Sequence, residues 1–248
     1  MPLKSVLVTS EVTFVGENYH QVILSLANNP HITALIVIQN RAPVLSALGL
    51  VTAMTGAAPR FGFQLLKNNL FPGTQEKVKA YEAAGKKVYF TKDINTPETL
   101  DYLRSLNPDL IVNARSRCFF RDAVLALPRL GCINIHHGLL PFQRGVMCDF
   151  WAHMHGRPFG FTIHQMTKKI DDGPILRVEE VKISPKDYTE SIFEGSKLEA
   201  RVLAEVLDDI DSKQILAGIP NLKTAETKYW KNPKLTDFYR LRLKGIKV

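Results

Sequence analysis

Three cysteines in 248 residues, Cys118, Cys132 and Cys148, are too few and too irregularly spaced for a disulfide framework or a Cys-x-x-Cys metal site. A reducing compartment is the simpler expectation, and the chain reads as cytoplasmic. No Gly-x-Gly-x-x-Gly follows the first strand-like run, so the dinucleotide fingerprint of an oxidoreductase is missing. No Gly-x-Ser-x-Gly elbow is present, which weakens a serine nucleophile. The opening MPLKSVLVTSE enters a strand directly, without the apolar stretch and cleavage site of a signal peptide. The most apolar stretch, residues 42 to 59, is interrupted by Gly49 and Gly56, flanked by Pro43 and Pro59, and marginal in length for a bilayer span. A helical lid, an interface segment or loose surface contact with a membrane stays open for it; stable insertion is not expected.

What is present is the composition of a globular protein, 45% hydrophobic and 23% charged, long enough for one large domain or a domain with an appendage. The net charge of +8 and a pI near 9.4 favour an anionic partner: a phosphorylated small molecule, a polyglutamylated cofactor, nucleic acid or a membrane surface. Nucleic acid is kept open and not favoured. Residues 222 to 248 carry much of this charge, interleaved with Tyr229, Trp230, Phe238 and Tyr239. Such a tail can stack on nucleotides, although packing on the body by its aromatics is the plainer expectation.

Short apolar runs at 5 to 10, 32 to 40, 86 to 93, 109 to 114 and 131 to 136 read as five buried strands. Between them lie helical patterns. Residues 17 to 29 place Tyr19, Val22, Ile23 and Leu26 on one face, and Thr96 caps a helix opened by Pro97. A helix over about 147 to 155 precedes two further strands, 159 to 166 and 173 to 183, expected to pair around TKKIDDG. A last long helix starts near residue 186. The alternation predicts an α/β fold with a mainly parallel, Rossmann-like sheet flanked by helices. Residues 41 to 80 form a variable helical insertion. The expected organisation is a domain over 1–212 and a basic aromatic extension over 213–248.

Ligands of such sheets sit at the carboxyl ends of the strands, where VNARSRCFF and NIHHGLLP fall. Five of the seven histidines lie between 136 and 164, but His153 and His155 are two apart on a helix and point to different faces. No metal is expected. Asn134 and His136 point to one side of a strand, so an amide donor and an imidazole can converge on one atom, which suits an oxyanion. Asp171, arriving from a turn, could hold the imidazole charged and accept a proton. Alternatively, Asn134 caps a loop and His136 satisfies backbone groups.

NIHHGLLPFQRG resembles the Asn-x-His-x-Ser-Leu-Leu-Pro signature of the N10-formyltetrahydrofolate-dependent formyltransferases. GFTIHQMTKKIDDGPIL resembles the family's downstream Gly-x-Thr-x-His…Asp-x-Gly motif, and NPDLIVNARSRCFFRDAVLALPRLGCIN is similar to the corresponding segment of methionyl-tRNA formyltransferases. The resemblance covers about residues 84 to 212. It implies the formyltransferase catalytic fold, 10-formyltetrahydrofolate as cosubstrate, and transfer of a formyl group to a primary amine. Asn134 would donate to the oxyanion, protonated His136 would polarise the formyl group, and Asp171 would support the imidazolium and help move the amine proton. His164, Arg144 and Gly145 match supporting positions. The folate-binding stretches correspond to Cys118, Phe119 and Phe120, to Leu140 and Pro141, and to Met166, Thr167, Lys168 and Ile170. On structural grounds alone, Phe119 and Phe120 read as core.

Departures from the family bear on the acceptor. The Gly-rich phosphate loop of glycinamide ribonucleotide formyltransferases is reduced to Gly16. Some 36 residues follow the last long helix, too few for the C-terminal barrel of methionyl-tRNA formyltransferases. His137 and Gly138 replace a small residue and the motif's Ser. A small anionic acceptor, such as a nucleotide-linked amino sugar, is the leading expectation. A formyltetrahydrofolate hydrolase, a methionyl-tRNA formyltransferase-like enzyme lacking the barrel, and a non-catalytic folate- or RNA-binding module are the rivals, and both monomer and homodimer stay open.

Overall fold

The structure is a computed structural model that describes residues 2–182 and 186–248. Five strands are parallel: β1 (Ser5–Ser10), β2 (Ile32–Ile38), β3 (Lys87–Thr91), β4 (Leu110–Asn113) and β5 (Gly131–His136). A short β6 (Gln143–Gly145) lies outside this sheet, and β7 (Gly160–Gln165) and β8 (Ile175–Glu180) extend it antiparallel. The order is β3-β2-β1-β4-β5-β7-β8. The mainly parallel sheet expected from the sequence is thus present, with β7 and β8 paired as anticipated. Ile183, the last residue expected in β8, lies outside the described residues.

The central strands are apolar on both faces because helices cover both. Alternate side chains enter different cores: Leu7, Leu35, Ile133 and Ile135 face one, and Val6, Val8, Ala34, Ile36 and Cys132 the other. The first core is closed by α1 (His20–Ser25), α7 (Cys148–His155) and α8 (Tyr188–Lys213). The second is closed by α5 (Pro97–Leu106) and α6 (Asp122–Leu125). Thr96 caps α5, its hydroxyl accepting from the Thr99 N–H, and the Asp187 carboxylate caps α8 by accepting from Glu190 N–H. The insertion folds as α2 (Pro43–Met54), α3 (Pro59–Leu70) and α4 (Thr74–Ala83). No described helix is long and apolar enough to cross a membrane.

The helix expected over 17 to 29 is much shorter. Glu17, Asn18 and Tyr19 have φ of 55°, 53° and 62°, and α1 covers only six residues. Long-range polar contacts override the periodicity. Asn18 Oδ1 accepts from Thr13 N–H at 2.8 Å, its amide donates to Asn68 O at 2.8 Å, and Lys77 Nζ donates to Asn18 O at 2.6 Å. Tyr19 donates its hydroxyl to Glu199 on α8. These partners hold three residues in a conformation that L-residues adopt at a cost.

Residues 213–248 run back over the body. β9 (Lys228–Trp230) pairs parallel with β6, and α9 (Leu235–Leu243) buries Phe238 and Leu241. Trp230 stacks on Trp151 at 5.1 Å, and Phe238 packs on Phe150 at 4.8 Å between ring centres.

Candidate active site

Asn134 and His136 lie on β5 with their side chains on the Cys132 face, as the strand alternation requires. In the antiparallel register Asn134 stands opposite His164 on β7, and His136 opposite Thr162. Asn134 Nδ2 approaches His164 Nε2 at 3.2 Å, and His164 Nδ1 approaches Gln165 O at 2.9 Å. A carbonyl can only accept, so His164 carries its proton on Nδ1 and receives the Asn134 amide on Nε2. Burial, with His136 adding to it, lowers His164 from its ordinary 6.5 to about 4, keeping this ring neutral at pH 7. The second Asn134 amide hydrogen has no partner among the described residues.

His136 is oriented the same way. Its Nε2 donates to Gln143 O at 2.7 Å, which leaves Nδ1 facing Asp171 Oδ1 at 3.3 Å. This separation suits an ion pair but is long for a hydrogen bond. The same Asp171 oxygen is 3.9 Å from His164 Nε2. Asn134, His136 and Asp171, three residues proposed from the sequence, therefore meet around His164.

Asp171 sits in a left-handed turn, φ 53°, which a surrounding net enforces. Its Oδ2 accepts from Gly145 N–H at 2.8 Å, and its carbonyl accepts from Arg144 and, at 3.0 Å, from Asn221. Arg144 is 0% exposed and also donates to Asp172 Oδ1 at 2.9 Å and to Asn221 Oδ1 at 2.7 Å. Two residues on, Gly173 lies against Gln165 O so closely that a Cβ would collide with it, giving the Asp-x-Gly spacing a steric reason. Asn221 comes from the extension and had no motif to announce it.

The two longer candidate folate stretches also come together. Lys168 Nζ pairs with Asp122 Oδ2 at 2.7 Å, and Met166 packs in the same core as Phe120 and Cys118. Leu140 is buried, its N–H donating to Thr162 Oγ1 at 3.0 Å, and the Pro141 carbonyl accepts from Thr227 at 3.1 Å. The expectation that Phe119 and Phe120 are both core holds for Phe120, 8% exposed, and is corrected for Phe119, 75% exposed. Phe119 turns outward because Asn95 fixes the loop, donating to Phe119 O at 2.8 Å and accepting from Arg121 N–H at 2.8 Å. Ile170 is 62% exposed, so both stretches present apolar surface, while Thr167 is also exposed.

His137 points to the opposite side, toward α8. Its Nε2 is 3.0 Å from Glu199 Oε1, close but not aligned as a hydrogen bond, and Arg115 Nη2 is 3.5 Å from the same oxygen. Burial would raise the Glu199 carboxyl, but His137 and Arg115 outweigh it and hold it below its ordinary value. Burial and then Arg115 lower His137. Glu199 is thus a buried carboxylate between Arg115 and His137, on the side of β5 away from Asn134 and His136. Arg115 Nε and Ser116 Oγ are buried without partners among the described residues, at the carboxyl end of β4. Sequence reasoning placed VNARSRCFF at the crevice but did not single out these groups.

Gly138, where the motif has Ser, has no room for a side chain: a Cβ would meet His136 Nε2 at 2.6 Å, Gln143 O at 2.8 Å and Cys148 Cβ at 2.9 Å. Cys148 occupies the space a serine would need. Burial pushes the Cys148 thiol up, with Asp149 adding to it, and pushes Cys132 to about 12, so neither offers a thiolate. Among the described residues no group of three or more His, Cys, Asp or Glu side chains could hold a metal ion.

Comparison with known proteins gives the same direction. The family described as formyl transferase matches residues 16–207. The chain is 39% identical over 107 residues to a bifunctional polymyxin resistance protein ArnA of Wigglesworthia glossinidia brevipalpis, covering 43% of this chain and 16% of that protein. It is 34% identical over 160 residues to a methionyl-tRNA formyltransferase of Ehrlichia ruminantium (strain Gardel), covering 64% of this chain and 51% of that one. The chain thus spans about half or less of the length of these relatives. Two solved structures share the fold: a glycinamide ribonucleotide transformylase of Symbiobacterium toebii (TM-score 0.60, 17% identity, 86% and 89% of the two chains) and a sugar N-formyltransferase of a Shewanella species (TM-score 0.57, 18% identity, 96% and 86%).

Proposed function

From a chain that belongs to the formyl transferase family, we propose an enzyme that moves a formyl group from 10-formyltetrahydrofolate to the primary amine of a small anionic acceptor, such as a nucleotide-linked amino sugar. The observation that carries this reading is the meeting of Asn134, His136 and Asp171, with both ring nitrogens of His136 assigned. Bound folate supplies the formyl carbon on its N10. The chain's own residues do the rest. The free amide hydrogen of Asn134 donates to the formyl oxygen as negative charge develops there. His136 Nδ1, when protonated, donates to the same oxygen, and its ring is fixed by the Gln143 carbonyl behind it. Asp171 balances the imidazolium and takes the proton released by the attacking amine; that proton passes to N10 as the bond from the formyl carbon to N10 breaks, so tetrahydrofolate leaves as the neutral amine and the formamide stays on the acceptor. His164, neutral, holds the Asn134 amide in place.

Phe119 and Ile170 give the folate ring apolar surface beside this crevice, and the loop of Met166 to Ile170 is anchored by Lys168. The acceptor class is supported by the net charge of +8 and by Arg115 and Ser116 at the end of β4. Release of tetrahydrofolate from 10-formyltetrahydrofolate, followed spectroscopically with His136→Ala as the blank, tests the proposal. Pools of amino sugars, nucleotide-linked amino sugars, glycinamide ribonucleotide and charged initiator tRNA are added separately. Release that needs the nucleotide-linked pool and vanishes in the variant is expected. Brisk release in water alone would make the enzyme a hydrolase, and no release with any pool would end the catalytic reading.

A further inference from the structure

A second cleft opens at the carboxyl ends of β1, β2 and β3. These strands lie two to four places from β5, about 10 to 19 Å along the sheet at ordinary strand spacing. The cleft holds about 460 Å³ and is lined by Glu11, Gln39, Arg41, Thr74 and Phe90 among others. A second lobe of about 360 Å³ shares Glu11, Gln39 and Arg41 and adds Lys92. Its size is that of a small-molecule site, and nothing in the reaction described above uses it.

Its polar groups are set out for a ligand rather than for one another. Arg41 donates Nε to Asn69 O at 3.0 Å and Nη2 to Leu70 O at 3.3 Å, which fixes the guanidinium and leaves Nη1 without a partner among the described residues. The side chains of Gln39 and Lys92 have no hydrogen-bond or ion-pair partner among the described residues either. The two carboxylates nearby have protein partners of their own. Glu76 pairs with His20 at 2.8 Å, and Glu11 accepts from Thr74 at 3.3 Å and sits beside the buried Lys77 ammonium. Phe90, on the edge strand, is 38% exposed and offers a flat apolar face. Two cations suit phosphate, an aromatic face suits a base, and a carboxylate at a strand end suits ribose hydroxyls.

We propose that this cleft binds a nucleoside diphosphate, with its phosphates on Arg41 and Lys92, its base on Phe90, and its ribose hydroxyls donating to Glu11. The proposal rests on the acceptor reading above, which makes a nucleotide-linked molecule the ligand this chain would meet.

Binding is measured calorimetrically on the full chain with UDP, dTDP and ADP, and with uridine and inorganic phosphate as part-ligands. Saturable binding of a diphosphate is expected, weakened about tenfold or more by Arg41→Ala and by Lys92→Ala. Phe90→Ala is expected to weaken it about tenfold, and His136→Ala to leave it unchanged. The proposal is overturned if no diphosphate binds, if the cleft variants bind as wild type does, or if inorganic phosphate binds as tightly as the nucleotides. Lys92→Ala removes no contact among the described residues, so its result does not depend on folding. Nucleotide binding without formyl transfer to any linked amine would sink the acceptor reading and leave the site standing. Transfer to a nucleotide-linked amine that Arg41→Ala does not slow would do the reverse.

Discussion

At the β5–β7 end of the sheet's carboxyl edge, Asn134, His136, His164, Asp171, Arg144 and Asn221 bind one another, and one amide hydrogen and one imidazole nitrogen are left to work. At the β1–β3 end, Gln39, Lys92 and part of Arg41 have no protein partner among the described residues. The first arrangement is preorganised: each ring is locked by a backbone carbonyl behind it, so no reorientation is needed as charge develops. The second is open, as a surface that meets a variable ligand must be. On the readings proposed above, one sheet edge would carry a fixed chemical end and an adaptable recognition end.

The contrast can be broken by making the same substitution at each end. Arg144→Leu removes a buried guanidinium and strands Asp172 and the Asp171 and Asn221 oxygens, so a loss of about 3 to 5 kcal/mol is expected in urea unfolding. Arg41→Leu should cost only about 1 kcal/mol, because one of the two hydrogen bonds it loses is exposed and the other only part-buried. Equal losses at the two sites would abolish the distinction.

A smaller effect sharpens it. His164 binds a proton at about 4 in the folded protein and near 6.5 when unfolded. Its contribution to stability is therefore complete above 6.5 and drains away as pH falls toward 4. His164→Gln should flatten that part of the pH–stability curve, measured by thermal unfolding at a series of pH values. An unchanged slope would mean that the ring is not held neutral.

The two ends also differ in how much the sequence disclosed. The strands read at 5 to 10, 32 to 40 and 131 to 136 were legible because β-branched and apolar runs buried on both faces leave few alternatives, although the second ends at Ile38. Asn134 and His136 were legible because a strand alternates, and Asp171 because its motif stands a fixed distance away. Asn221 was not, since its value lies in a carbonyl 50 residues earlier, at Asp171. The turn at Glu17 to Tyr19 was misread as helix because Asn68, Lys77 and Glu199, all distant in sequence, impose it. Phe119 was misjudged because an aromatic beside an apolar run reads as core until Asn95 is seen to turn the loop. The cleft at β1–β3 has no motif; it is assembled from single residues following three strands.

The central claim is that Asn134 stabilises charge on the formyl oxygen, with His136 and Asp171 beside it. Steady-state turnover of Asn134→Ala with 10-formyltetrahydrofolate and its acceptor tests it most directly. The account predicts kcat lower by about 100 to 1,000-fold with an unchanged circular dichroism spectrum and unfolding midpoint; turnover within a few-fold of wild type in a folded variant would contradict it.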